Sequence, residues 1–155
     1  MTSLSQYRAW RSILATYLAF LALIGFWPSP VDKPVQGTLS EILAWLHAHR
    51  IPHWFNYQFV EASANVLLFV PMGFAAALAF RENRWWQNAL LGLLASSCME
   101  LGQSLFLDHR FASPLDLVTN TLGAVIGVVL AAASSGNPSS RTSGPPRTPA
   151  VRRRW

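Results

Sequence analysis

The stretch SSCMELGQSLFLDHRFASPLDLVTNTLGAVIG, Ser96 to Gly127, decides how the chain is read. Two apolar runs flank a short polar loop, and the first run carries a glutamate and a glutamine in its interior. A carboxylate inside an apolar helix is rare and expensive, so Glu100 marks either a functional site or a contact between helices.

The rest of the chain favours a membrane setting. It has 155 residues, 52% hydrophobic and 12% charged, and a mean hydropathy of +0.27. Soluble domains average about 25% charged residues, so this composition predicts an all-α integral membrane protein, with one compact domain and no separate soluble catalytic domain. The net charge of +5 would fit nucleic acid if the basic residues formed a patch. Instead they flank apolar segments or crowd into the last residues, so no nucleic-acid partner is expected. Cys98 is the single cysteine, which excludes a disulfide within one chain, and its place inside an apolar run predicts a buried, inert thiol.

A membrane helix needs about 20 mostly apolar residues. Segments near 13–27, 62–80, 88–107 and 115–133 meet or approach that length, which predicts a polytopic four-span helical bundle. The domain plan is a cytoplasmic amino terminus at 1–12, a membrane domain at 13–133 and a disordered basic tail at 134–155. No small-residue cleavage site follows the first segment, so it reads as an uncleaved signal anchor. Arg8, Arg11, Arg81, Arg84 and the tail arginines fall on one side, against Lys33, Arg50 and Arg110 on the other. Basic residues accumulate on the cytoplasmic side, so both termini are predicted in the cytoplasm of a bacterial inner-membrane protein.

The first external loop predicts an interfacial helix. TLSEILAWLHAHR begins with Thr38 and Glu41 at capping-box spacing, and Leu39, Ile42, Leu43 and Leu46 share a helical face. Trp27, Trp45 and Trp54 nearby suit a membrane interface. Of His47, His49 and His53, only the last two have i, i+4 spacing, and Pro52 interrupts that turn. They read as solvated histidines rather than metal ligands, and no cofactor is expected.

At about 100° per residue, Gly92, Ser96, Glu100, Gln103 and Leu107 fall in one stripe. Asp116, Asn120, Gly123 and Gly127 form another, and Asn65, Gly73 and Ala76 a third. Small residues permit close backbone approach and amides bond across helices, so the three stripes should face one another. Glu100 would lie about 10 Å below its helix end, at a depth where an ionised carboxylate costs on the order of 3 kcal/mol. Arg110 is its candidate partner, with a fork suited to carboxylate or phosphate. Ser113 or Asp116 can cap the last helix, with Pro114 in its first turn, and an anion could bind at that amino terminus. Asp108 and His109 read as solvated loop residues.

NVLLFVPMGF, Asn65 to Phe74, then ELGQ, Glu100 to Gln103, then Arg110, Ser113, Asp116, Asn120 and LGAVIG, Leu122 to Gly127, resemble the VanZ family of bacterial membrane proteins. The resemblance implies a small multi-span protein of the cell envelope, and the family's founding member is associated with resistance to the glycopeptide teicoplanin. It carries the polar motif to Glu100, Gln103, Arg110, Ser113, Asp116 and Asn120. Many members have Asp-Lys-x-x-His-Phe after the first span, whereas here Asp32 and Lys33 are followed by PVQG, as in a divergent branch. Drug resistance is not inferred.

Three functional classes remain open at this level. One is a binding pocket for a polar or anionic envelope component, a lipid headgroup or lipid-linked cell-wall precursor, built from Asn65, Glu100, Gln103, Arg110, Ser113, Asp116 and Asn120. A second is an acid/base enzyme acting on a lipid-linked substrate through Glu100 and Asp116, although no GxSxG, HExxH or phosphate-loop signature is present. A third is a structural subunit, a homo-oligomer or a partner of other membrane proteins, in which Glu100, Gln103, Asn65 and Asn120 only hold helices together.

Overall fold

A computed structural model describes residues 3–27, 33–107 and 113–135. Asp32, Asp108, His109, Arg110 and the tail beyond 135 therefore lie outside the described residues. Within them the chain is entirely helical: α1 (Ser3–Gly25), a 3-10 turn (Lys33–Val35), α2 (Gln36–Ala48), α3 (Tyr57–Ala79), α4 (Trp85–Phe106) and α5 (Pro114–Ser135), with no strand.

Three of these helices, α3, α4 and α5, are long and apolar enough to cross a membrane. Each begins before its apolar segment, because local signals outside the apolar run set its start. The Asn56 side chain accepts from the Phe59 N–H at 3.1 Å and caps α3 well ahead of Ala62. Gln87 reaches back to the Arg84 N–H at 2.7 Å and opens α4. Ser113 accepts from the Asp116 N–H at 3.2 Å and opens α5, as its position before Pro114 suggests. The first helix likewise extends beyond the apolar segment, starting at Ser3 and carrying Arg8 and Arg11 within it.

The tightest contact is between α3 and α5. A Cβ on Gly73 would overlap the carbonyl of Ala124, and Cβ atoms on Gly123 and Gly127 would overlap the carbonyls of Val66 and Val70. Here the sequence stripes do face each other, and lack of a side chain is what lets the two backbones meet. Gly92 brings α4 against Ala124 in the same way. α1 packs on the opposite side of α3, where Leu14 and Leu21 join Phe69, Met72 and Ala76 in the apolar core.

Pro71 interrupts the hydrogen-bond ladder of α3 in mid-helix. One turn earlier, the Tyr17 hydroxyl of α1 donates to the Leu68 carbonyl at 2.9 Å, so a side chain from the neighbouring helix serves the backbone beside the interruption.

Two expectations are corrected. Cys98 is exposed rather than buried, because it lies on the face of α4 shared by Leu94, Leu101 and Leu105, which the bundle leaves uncovered. Thr38 does not cap α2: the helix starts at Gln36 after Val35, without a side-chain cap, since the preceding 3-10 turn already sets the chain on a helical course. Along α2, Leu43 is buried, while Ile42 and Trp45 are half-exposed or more. The helix ends at Ala48 with His49 as its C-cap, and Arg50 turns the chain with φ of 69°. That reversal, rather than helical spacing, brings the His47 and His53 rings to 4.6 Å of each other.

Candidate functional site

The end of the bundle where α1 and α4 finish and α3 and α5 begin holds most of the polar interior. Glu100 is 9% exposed and Asn120 6%, on neighbouring helices. The Glu100 carboxylate accepts the Ser113 backbone N–H at 2.7 Å. Ser113 also caps α5 through Asp116, so its spacing to that residue is the one a capping box uses. The reciprocal half of such a box normally comes from the third helical residue. Here the receiving carboxylate comes from α4, and Asp116 is turned elsewhere: the Asn65 amide of α3 donates to it at 2.9 Å. A terminal N–H of α5 thus gives buried Glu100 a fixed donor, which offsets part of its desolvation.

One turn below Asp116, the Asn120 amide donates to the Ser96 hydroxyl at 3.0 Å. Gln103, one turn above Glu100, donates to the Gly25 carbonyl at the end of α1 at 2.9 Å. Met99 and Gln103 crowd Gly25, and Phe26 crowds Gly102, so the last turns of α1 and α4 close on each other through glycines.

These residues line a cavity of about 620 Å³. Its lining includes the polar residues Asn65, Glu100, Gln103, Ser113, Asp116 and Asn120 and the apolar residues Leu21, Ile24, Leu39, Leu68, Phe69 and Met99. Gln58, Glu61 and Leu115 at its rim are exposed, whereas Leu21, Phe69 and Asn120 at its floor are buried. Along α3 the lining runs from Tyr57 to Phe69, about 18 Å at the helical rise.

Six of the seven residues singled out for binding therefore meet around one space. The seventh, Arg110, lies outside the described residues. Tyr57, Gln58 and Glu61 escape a sequence reading because they precede the apolar segment, which starts at Ala62. Glu61 lies one turn before Asn65, so extending that stripe backwards by four residues would have found it. Among the described residues, no group of three or more His, Cys, Asp and Glu is placed to hold a metal ion.

An all-helical bundle with helices fit to cross a membrane and a partly polar cavity at one end defines a helical membrane protein. The chain belongs to the VanZ/LLP1 family, which it matches over residues 14–135, a span that contains α3, α4, α5 and every residue of the cavity wall. No curated protein and no solved structure matches it.

Proposed function

We propose that the cavity binds the headgroup of a polar or anionic envelope component, a lipid or lipid-linked cell-wall precursor, at the outer side of the bacterial inner membrane. The observation that carries this reading is the mixed lining of the cavity, with the polar side chains of Asn65, Glu100, Gln103, Asp116 and Asn120 beside the apolar ones of Leu21, Ile24, Leu68 and Met99. A headgroup with acyl or prenyl chains presents both kinds of surface. The volume of about 620 Å³ is within the range of small-molecule sites.

The proposed setting is a four-span protein with both termini cytoplasmic. α1 has 23 residues, about 34 Å of helix; its apolar part, residues 13–25, covers only about 20 Å, so in this setting it would cross as a short span with Arg8 and Arg11 at its cytoplasmic end. Arg8, Arg11, Arg81 and Arg84 cluster at the end opposite the cavity, as the positive-inside rule requires if the cavity faces outward. α2 then lies in the outer interface, with Trp45, Trp54 and Ile42 turned out of the bundle.

Glu100→Gln keeps an oxygen to receive the Ser113 N–H while removing the charge, and Arg110→Ala removes the candidate cation from the adjoining loop. Both variants are expected to accumulate near the wild-type level and to lose co-purifying lipid after mild extraction. Unchanged lipid retention in both would overturn the reading. A lipid product altered by the wild type, and unaltered by Glu100→Gln or Asp116→Asn, would move the site to the enzyme class.

A further inference from the structure

The end of the bundle opposite the cavity has its own recess, of about 140 Å³, between the start of α1 and the turn that joins α3 to α4. Tyr7 and Arg11 line it from α1, and Phe80, Arg81, Glu82 and Asn83 line it from the turn. A water takes up about 30 Å³ in the liquid, so the space suits a small group such as one phosphate rather than a whole sugar or nucleoside.

The turn is fixed from α4. Asn88, 3% exposed, donates to the Phe80 carbonyl at 3.4 Å and accepts from the Asn83 side chain at 3.2 Å, while the Asn83 N–H donates to the same carbonyl at 3.0 Å. A buried asparagine with both halves of its amide engaged on one turn sets where Phe80 and Arg81 stand.

Both guanidinium groups are held as well. Arg11 lies over the Phe80 ring, its guanidinium carbon 5.3 Å from the ring centroid, and Arg81 Nη2 donates to the Ser135 hydroxyl of α5 at 3.0 Å. Among the described residues neither is in ion-pair contact with a carboxylate, not even with Glu82 on the same recess. A guanidinium is a fork of several donors, and these contacts leave most of each fork unused. Accumulation of arginine at this end follows from the positive-inside rule, but that rule does not bring two of them to one recess. Arg8 and Arg84, at the same end, line no part of it. Two like charges on one small space repel, and an anion between them turns the repulsion into attraction.

The geometry points to a second binding site here: the forks of Arg11 and Arg81 take a phosphate group, carried by an anionic phospholipid of the leaflet opposite the cavity. Trp85 and Trp86 favour the lipid over a soluble phosphate, since both open α4 next to this turn and are exposed, as aromatic residues at headgroup level are. The site stands whatever the cavity at the other end holds.

The test is retention of added lipid by the purified full-length protein in detergent, quantified by mass spectrometry, with phosphatidylglycerol and diacylglycerol of identical chains. Two double variants each remove two positive charges from this end: Arg11→Gln with Arg81→Gln inside the recess, and Arg8→Gln with Arg84→Gln outside it. Lipid held in the distant cavity is common to both. The inner pair should lose about tenfold or more of the preference for phosphatidylglycerol, the scale of a hydrogen bond to a charged group, and the outer pair should stay within about twofold of wild type. If the inner pair does not fold, Arg11→Lys with Arg81→Lys keeps both charges without the forks, and should lose about threefold or more where Arg8→Lys with Arg84→Lys loses nothing. Equal losses from inner and outer pairs overturn the site and reduce these arginines to a general attraction for anionic surface. Millimolar inorganic phosphate in the wash should leave phosphatidylglycerol bound; its displacement would keep the phosphate site and overturn the lipid as its source.

Discussion

Asn65 and Asp116 illustrate how much of this molecule depends on single polar contacts. Their hydrogen bond, 2.9 Å long, joins α3 to α5 above the glycine contact, where the helices would otherwise meet only through small apolar surface. Interhelical bonds of this kind average about 0.6 kcal/mol in membrane proteins and reach about 1.7 kcal/mol. A double-mutant cycle with Asn65→Ala and Asp116→Ala, read by detergent or steric-trap unfolding, should give a coupling energy of about 1 kcal/mol. Additive losses would show that the pair does not hold the helices. At this scale the sequence was informative: helical spacing alone put Asn65, Glu100, Gln103, Asp116 and Asn120 on facing stripes, and they line one cavity. It could not say which atom bonds which. Ser113 and Asp116 share capping spacing, yet the carboxylate that receives the Ser113 N–H comes from another helix. The same spacing puts Cys98 about 160° from Glu100, on the face away from the polar stripe, so its exposure was legible, and only counting the run as apolar without its faces made it look buried.

Among the helices, α3 and α5 form the rigid centre, with α4 and α1 laid against it. Their approach is set by glycines that have no room for even one carbon, since the atoms opposite Gly73, Gly123 and Gly127 are backbone and cannot rotate away. Gly123→Leu or Gly127→Leu should therefore cost on the order of 3 kcal/mol or more, as overpacking does when neighbours cannot yield. Loss of protein from membranes, with Glu100→Gln remaining near wild-type level, is the expected outcome, and stable accumulation of both glycine variants would contradict the packing. Gly37, whose added Cβ would meet nothing, provides the control: Gly37→Ala should leave the level unchanged. The apolar segments of α3, α4 and α5 were legible because length and hydropathy define them. Their starts were less so, since Asn56, Arg84 with Gln87, and Ser113 act through caps outside the apolar runs.

For the molecule as a whole, the polar groups are sorted to the two ends. The cavity and its carboxylates occupy one, and Arg11, Arg81 and Arg84 the other, where Arg81 also donates to the Ser135 hydroxyl at 3.0 Å and ties the turn after α3 to the end of α5. The proposed orientation has a direct consequence in a Cys98→Ala background. A cysteine replacing Gln58, at the exposed rim of the cavity, should react with an impermeant maleimide in intact cells, and one replacing Asn83, in the turn between α3 and α4, only after the membrane is opened. The reverse pattern would invert the protein and turn the cavity inward.

The bond between Glu100 and the Ser113 N–H also bears on how the protein is made. The two residues are 13 positions apart, and the carboxylate leaves the ribosome first. Until the beginning of α5 is synthesised, α4 contains an acidic group that lacks its Ser113 N–H contact. Its release into lipid at that moment is disfavoured, and delay until Ser113 arrives removes part of the penalty. In the proposed membrane setting, α4 and α5 are therefore expected to exit laterally as a hairpin, rather than one after the other. Asp116, arriving within that hairpin, then finds Asn65 on the already synthesised α3, so the order of translation matches the order in which the polar contacts can close.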